Sequence, residues 1–309
     1  MSIRDCRHWI LRRLDFLPDS WIVWIQYLIK TRHILHLRNP KRFSEKLQHL
    51  KVYYRDPLMS QCADKFEVRK YISSLGLATI LNDCYGVYES VESIPWEVLP
   101  NRFVLKDTLG GAGLSVLIVR DYKSANKEEM KKTLHRWLKE PYDKKHTGRE
   151  WVYDGRPHRI IIEKYLESDA SRGGLMDYKF FCNYGDCKLV YVIADRTLGQ
   201  GGSLGIYTRN FEMINAHRRD ERPLVRIIEK PDSYYDMLAI AERLAKPFPE
   251  ARIDLYTIDN KVIFGEITFF DGSGYMRFDP DGFDNEFGDM FRFHYNEKWT
   301  ICPQKAEKE

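Results

Sequence analysis

Arg252-Ile253-Asp254-Leu255 and Glu266-Ile267-Thr268 lie in two β-type runs, 252–258 and 262–269, joined by Asp259-Asn260, a tight hairpin turn. On adjacent antiparallel strands Asp254 and Glu266 can point to one side. Arg252, two residues before Asp254, faces the same way. Paired carboxylates are hard oxygen ligands of the kind that hold Mg²⁺ against nucleotide phosphates. A guanidinium beside them suits the stabilisation of a transferring phosphoryl group. The same three residues could equally form a structural salt-bridge cluster.

A second group surrounds Gly110-Gly111-Ala112-Gly113. Glycine loops can cradle phosphates with backbone N–H groups. A Walker A loop would need a GK[ST] ending and a following helix, and a Rossmann turn would also lead into a helix. Here the loop joins two β-type runs, 102–106 and 114–119, as a hairpin flap. Lys106 precedes the flap and no HRD tripeptide occurs, which excludes the protein-kinase arrangement. A third group, Glu163-Lys164-Tyr165-Leu166-Glu167, ends an apolar run and offers an edge for adenine with a carboxylate for ribose hydroxyls. An exposed strand edge is the plainer reading of it.

Positioning these residues requires a mixed architecture. Residues 1–75 read as mostly helical, with Ser44 as a cap before Glu45 and a second helix from Asp64 to Gly76. Strands are expected at 159–165, 178–183 and 188–194, and helices at 124–139 and 233–246, the latter stopped by Pro247. The Gly-rich stretch 197–209 reads as a mobile loop. Together these give an α+β fold class.

The chain has 309 residues, 43% hydrophobic and 30% charged, the balance of a globular protein and not of a disordered one. Its net charge of +4 is too small to indicate nucleic acid, so none is expected as a partner. Cys6, Cys62, Cys84, Cys182, Cys187 and Cys302 form no CxxC pair and follow no secretory signal, which points to free thiols in a reducing, cytoplasmic compartment. The apolar run Trp21–Ile29 spans nine residues, too few to cross a bilayer. With Arg4, Arg7, Arg12 and Arg13 ahead of it, this region reads either as helices packed on the body or as a basic amphipathic surface for peripheral membrane contact.

In this order, and with Asp64-Lys65 opening a helix upstream, the motifs resemble the ATP-grasp superfamily. Within it they resemble the TupA-like group of polysaccharide and teichuronopeptide biosynthesis. Asn39-Pro40-Lys41-Arg42-Phe43-Ser44-Glu45-Lys46-Leu47 resembles that group's opening signature. Tyr53–Leu58, Ala63-Asp64-Lys65, Asp177–Cys182, Phe264–Thr268 and Gly272-Ser273-Gly274 extend the likeness over residues 39–293. The resemblance implies two α+β subdomains enclosing ATP, preceded by a helical region. The bounds are 1–64 for the helical region, 65–167 for a lid with the glycine flap, and 168–309 for the half carrying the Mg²⁺ site. It further implies that Lys65, Lys106 and Lys179 contact ATP, with Gly110, Gly111 and Gly113 closing over the phosphates. Glu163, Lys164 and Leu166 would meet adenine and Glu167 the ribose. Asp254 and Glu266 would hold Mg²⁺, and Arg252 and Lys106 would act in catalysis. Thr268 stands where many ATP-grasp ligases have Asn, which bears on a second metal ion.

The implied reaction is formation of an amide from a carboxylate, activated as an acyl phosphate, and an amine. The implied acid is a uronic acid of an acidic glycan or lipid-linked sugar, with Arg196, Arg209, Arg218 and Arg219 available to receive it. A kinase, a non-catalytic nucleotide-binding scaffold, and a glycosyltransferase using Asp279-Pro280-Asp281 as its metal motif remain as alternatives.

Overall fold

A computed structural model describes residues 13–14, 16–111, 115–140, 145–167, 174–197 and 201–293. Cys6, Cys302, Arg4, Arg7, Arg12 and Gly113 lie outside the described residues, as does the side chain of Arg196. The architecture is α+β. Helices α1 (Asp19–Thr31), α2 (Phe43–Tyr53), α3 (Pro57–Ala63) and α4 (Val68–Ser74) come first. Strands β1 (Cys84–Tyr88), β2 (Phe103–Asp107), β3 (Val116–Val119) and β4 (Ile160–Lys164) form an antiparallel sheet in the order β1-β4-β2-β3. On this sheet packs α5 (Lys127–Leu138), whose Met130, Leu134 and Trp137 meet Phe103, Leu105, Ile160 and Ile162 in a small core.

A larger sheet follows, built from β5 (Asp177–Asn183), β6 (Asp186–Thr197) and β7 (Gly201–Thr208). Two-residue strands β8 (His217–Arg218) and β9 (Arg222–Pro223) lead to α6 (Tyr234–Ala245), β10 (Ala251–Ile258) and β11 (Lys261–Thr268). Sheet order is β11-β10-β5-β6-β7-β9, while β8 pairs with β12 (Phe278–Asp279) ahead of α7 (Phe283–Asp289). Every residue of β5 is buried, as expected of a strand covered on both faces. Phe43, Leu47 and Leu50 of α2 share one core with Phe180, Leu189, Ile253 and Phe287, so the opening helices pack directly on the large sheet.

Two expectations are corrected. Of the stretch 197–209 expected as a loop, Gly201–Thr208 is the strand β7, with Leu204, Ile206 and Tyr207 buried, while 198–200 lie outside the described residues. Its glycine marks a close approach, because a Cβ on Gly205 would lie 2.8 Å from the Tyr207 ring and 2.9 Å from Leu224. Nor does Ser44 cap α2. The helix starts one residue earlier, with Arg42 as N-cap, and the Glu45 carboxylate accepts the N–H groups of Lys41 and Arg42 at 2.8 and 3.1 Å. Ser44 instead donates its hydroxyl to Asp284 at 2.6 Å and takes its place inside the interface with α7.

That interface uses most of the opening motif. Phe43 stacks on Phe287 at 3.9 Å, and Arg42 pairs with Asp281 at 2.8 Å. Lys46 donates to the Gly288 and Phe291 carbonyls, both at 2.6 Å, satisfying the C-terminal end of α7. One turn on, Gln48 and Lys51 reach the loop after β11. Gln48 donates to the Gly274 carbonyl at 2.7 Å, and Lys51 to the Ser273 carbonyl and hydroxyl at 2.6 and 2.9 Å. Gly272, Ser273 and Gly274 all have positive φ (50°, 55° and 64°), a run that needs such outside support at Ser273. Burial pulls the Lys51 ammonium down to about 7, although Glu150 nearby opposes the shift.

Gly288 approaches α2 so closely that a Cβ would sit 1.9 Å from the Lys41 carbonyl oxygen. Gly288→Ala is expected to cost about 3 kcal/mol in urea unfolding by forcing the two helices apart. Glu250, just ahead of β10, is fully buried, and neither of its oxygens has a hydrogen-bond partner among the described residues. Burial, with Asp271 adding to it and Arg252 opposing, pushes its carboxyl well above the usual range. Its folded-state pKa is raised, so its contribution is fully present below the unfolded value and lost as pH rises toward the folded one. Glu250→Gln should therefore raise Tm relative to the natural chain at about pH 8, and much less at about pH 4. Melting curves at both pH values check this, and equal shifts would exclude protonation as the cause.

Candidate active site

Strands β10 and β11 meet at Asp259 and Asn260, both with positive φ (49° and 60°), the geometry of a two-residue hairpin turn. Register then places Asp254 directly opposite Glu266 and Arg252 opposite Thr268. A shift in pairing after Asp254 leaves Gly265 as the extra residue, and its backbone lies so near Asp254 that a Cβ would be 2.9 Å from the Asp254 carbonyl. Ile253 and Ile267, alternating with these side chains, are buried in the main core.

Arg252 is the centre of the cluster. Its Nε and Nη2 donate to the two Asp254 oxygens, each at 2.7 Å, and its Nη1 donates to Asp271. Nη2 also reaches Glu266 at 3.1 Å and the Thr268 hydroxyl at 3.0 Å. Lys179, on the neighbouring β5, donates to Asp254 and lies 2.9 Å from Asp177. Arg218 closes the far side, 2.8 Å from Asp271 and 2.6 Å from Asp220.

From the small sheet, Lys106 on β2 donates to Glu163 on β4 at 2.6 Å, and Arg69 of α4 lies 3.7 Å from the other Glu163 oxygen. Lys65 joins the two sheets. It donates to the Gly110 carbonyl at the base of the glycine loop and lies 3.6 Å from Glu266. Asp64 beside it accepts the N–H groups of Phe66 and Glu67 at 2.8 and 3.0 Å, fixing the turn into α4, and pairs with Arg159 at 2.9 Å.

Electrostatics separate the two central carboxylates. Desolvation raises Glu266, but Lys65, Arg252, Lys179 and Lys106 together outweigh it and hold the carboxyl at about 2. Burial pushes Asp254 up to about 6, against the pull of Arg252 and Lys179. Among the described residues no group of three or more His, Cys, Asp or Glu side chains is disposed to hold a metal ion. Mg²⁺ retains phosphate and water ligands, so two carboxylates are enough for it. Glu266 fits that use, with 33% of its side chain open to solvent. Asp254 is 2% open and already held by Arg252 and Lys179, so it could join a metal only once one of those cations lets go.

The remaining expected residues are placed as follows. Gly110 and Gly111 lie at the tip of the β2–β3 hairpin, with Gly110 N–H bonded to the Asp107 carbonyl at 3.1 Å. Lys164 turns its side chain away from Glu163, as strand alternation requires, and pairs with Asp83 at 3.0 Å. Its amide and carbonyl are also taken, by Asp83 and Asn82 at 2.9 Å each. Leu166 is half-buried just beyond β4, and Glu167 is exposed and bonded to Arg102. Of the arginines expected to receive a glycan, Arg209 pairs with Glu242 at 2.9 Å, Arg218 is buried on Asp271, and Arg219 donates to the Phe278 carbonyl at 3.1 Å. In Asp279-Pro280-Asp281, Asp281 is held by Arg42 and His33, which gives it a structural use.

Sequence reasoning missed Asp177, Asp271 and Arg69, and named Arg218 only as a receiver of the glycan. Asp177 was within reach, because it stands two residues before Lys179 and so shares its face. The others come from loops and helices whose approach has no local signal. Also unforeseen is His158, whose Nδ1 lies 2.7 Å from Asp107 at the base of the glycine loop.

Among solved structures the chain is similar to D-alanine–D-alanine ligase from Bacillus anthracis, at 18% identity over 73% of this chain and 64% of that one, with a TM-score of 0.45. It is similar to N5-carboxyaminoimidazole synthetase from Staphylococcus aureus, complexed with ADP, at 13% identity over 67% of this chain and 44% of that one, with a TM-score of 0.38. The ATP-grasp ligase PsnB, complexed with a phosphomimetic variant of its minimal precursor, Mg and ADP, gives 11% identity over 77% of this chain and 60% of that one, with a TM-score of 0.43. The chain therefore spans less than two thirds of the length of each. No curated protein matches the sequence. A sequence model of the TupA-like ATPgrasp family, by contrast, matches residues 45–292, from the Glu45 that caps α2 to the end of the main core. With that match over most of its length, the chain belongs to the TupA-like ATP-grasp family.

Proposed function

We propose that the protein is an ATP-dependent carboxylate–amine ligase, and that its acid is a uronic acid of a capsular, O-antigen or cell-wall polysaccharide or of its precursor. One observation carries the reading. Lys65, from the turn between α3 and α4, and Arg252 lie 3.6 and 3.1 Å from Glu266, and Lys106 of the small sheet and Lys179 of the large one add their charge to the same carboxylate. Such a set of cations is suited to the phosphates of a nucleotide and to charge developing during phosphoryl transfer.

In this reading a substrate carboxylate oxygen attacks the γ-phosphorus of ATP and the bond to ADP breaks. An amine nitrogen then attacks the acyl carbon, loses a proton, and phosphate leaves. Lys65 and Lys106 give up Glu266 and Glu163 to meet phosphate oxygens, while Arg252 stays fixed by Asp254 and Asp271 and faces the transferring group. The glycine loop, anchored by Asp107 and Lys65, excludes water from the labile intermediate. Bound Mg²⁺, held through Glu266 with Asp254 beside it, would supply further neutralisation of phosphate charge. Adenine would lie against Glu163 and the backbone at Leu166, since the Lys164 backbone is already bonded, with Glu167 toward the ribose. A cytoplasmic location belongs to the proposal: it supplies ATP and keeps Cys62, Cys182 and Cys187 as the free thiols observed.

The test is release of ADP and phosphate from Mg-ATP with a panel of uronic-acid glycans and amines, followed by the mass of the acceptor. Free phosphate with an amide-sized gain is expected. A phosphate-sized gain would make the protein a kinase, and ATP binding with no turnover on any pair would favour the scaffold. Glu266→Ala should abolish turnover while the chain still folds, at a lower melting temperature because Lys65 and Arg252 lose a partner, and retained activity would remove Glu266 from the site. Lys106→Ala should weaken ATP binding by about tenfold, the worth of one charge-assisted contact, as read by calorimetry.

A further inference from the structure

Helix α1 turns an apolar face to solvent. Its exposed positions are Trp21, Trp24, Ile25, Leu28 and Ile29, from 38% accessible at Leu28 to 71% at Ile29. They recur at i, i+3, i+4, i+7 and i+8, one continuous stripe along the helix. A surface helix normally carries its charges there. Here the polar Gln26 and Thr31 are on the buried face instead, where Gln26 donates to the Thr147 carbonyl at 2.9 Å and Thr31 to the Tyr27 carbonyl at 2.7 Å. Phe16 and Ile34, 79% and 61% accessible, flank the helix at its two ends.

At the C-terminal end of the stripe the chain turns at Arg32, with φ of 65°, and opens a cavity of about 680 Å³. Arg32, His33, His36, Lys41 and Arg42 line it, with Glu45 as the acidic member, and Ile34 belongs both to this lining and to the exposed apolar surface. Glu45 is spent on the α2 cap, and Arg42 and His33 on Asp281. Arg32 and Lys41 are exposed, and among the described residues their side chains have no partner. Arg38 beside them is exposed too.

We propose that this face is a docking surface for an anionic lipid bilayer, with the stripe of α1 entering the boundary between headgroups and acyl chains and Arg32 and Lys41 meeting lipid phosphates. Charge complementarity selects this occupant. The face asks for a partner that is apolar along one strip and anionic immediately beside it, and an anionic bilayer presents those two zones at fixed relative depth. Trp21 and Trp24 suit it further, because indole rings favour the membrane–water interface. Arg4, Arg7 and Arg12, ahead of the described helix, add basic residues to the same end of the sequence. Among the described residues no helix is long and apolar enough to cross a membrane, so the contact lies on the surface and does not span. The inference is independent of which acid and amine are joined.

Full-length protein is mixed with vesicles of phosphatidylcholine, alone or with phosphatidylglycerol, and binding is read by sedimentation and tryptophan emission. Expected are binding that requires phosphatidylglycerol, a blue shift on binding, and weakening as salt rises. Trp24→Ser with Ile29→Ser should weaken binding by about tenfold or more. Arg32→Glu with Lys41→Glu should abolish the preference for phosphatidylglycerol, and both pairs should leave melting temperature and Mg-ATP affinity unchanged. Vesicle binding unaffected by either pair would overturn the proposal, as would equal binding to both vesicles. A dimer in light scattering that Trp24→Ser with Ile29→Ser dissolves, without vesicle binding, would assign the stripe to a second copy and overturn it too.

Discussion

A buried guanidinium surrounded by carboxylates is costly to assemble and more costly to break, because any group removed leaves its partners charged and desolvated. Arg252 imposes that constraint here. It holds Asp254, Asp271, Glu266 and Thr268 at once, and Lys179 and Arg218 neutralise what it leaves. Strands β5, β10 and β11 and the loop that follows must therefore keep their relative positions for the cluster to be satisfied. The network also explains Thr268 in physical terms: its hydroxyl accepts from Arg252 at 3.0 Å and so helps to orient the guanidinium.

Asp271 reaches Arg252 only because the loop 271–274 adopts three consecutive positive φ values, and α2 holds it there through Gln48 and Lys51. The same helix is fastened at its other end to α7 by Phe43, Ser44 and Lys46. The opening motif Asn39–Leu47 thus has a mechanical function. It clamps α7 and presents the helix whose next turn holds the loop 271–274. No residue of that motif other than through this support touches the cations around Glu266.

Polar contacts of Lys65 link the small sheet to the large one. Each sheet has its own core, and Lys65 spans the gap by contacting Gly110 on one side and Glu266 on the other. Lys106 is held by Glu163 within the small sheet. These contacts pair each cation with a carboxylate, so the charges brought together here compensate one another. In the proposed function, phosphate oxygens replace these carboxylate partners and leave the number of ion pairs nearly unchanged.

The sequence alone determined what depends on neighbours along the chain. The two-residue period of β10 and β11 and the Asp259-Asn260 turn suffice to set Arg252, Asp254 and Glu266 on one face, and the β2–glycine–β3 hairpin follows from its flanking apolar runs. Tertiary structure decided what depends on distant segments. Asp271 and Arg218 lie in a loop and a two-residue strand, so no periodicity announces them. Lys164 and Glu163 differ in use because α5 covers the face of β4 that carries Ile160 and Ile162, the face Lys164 shares by alternation, and Glu163 is left on the other with Lys106. Gly205 looked like a sign of mobility and proved to be a close contact, since glycine permits both and only the neighbour across the strand distinguishes them. The outward face of α1 shows the same limit: its sequence is apolar nearly all round, and only the packing of Gln26 and Tyr27 against the body determines which apolar residues remain in water.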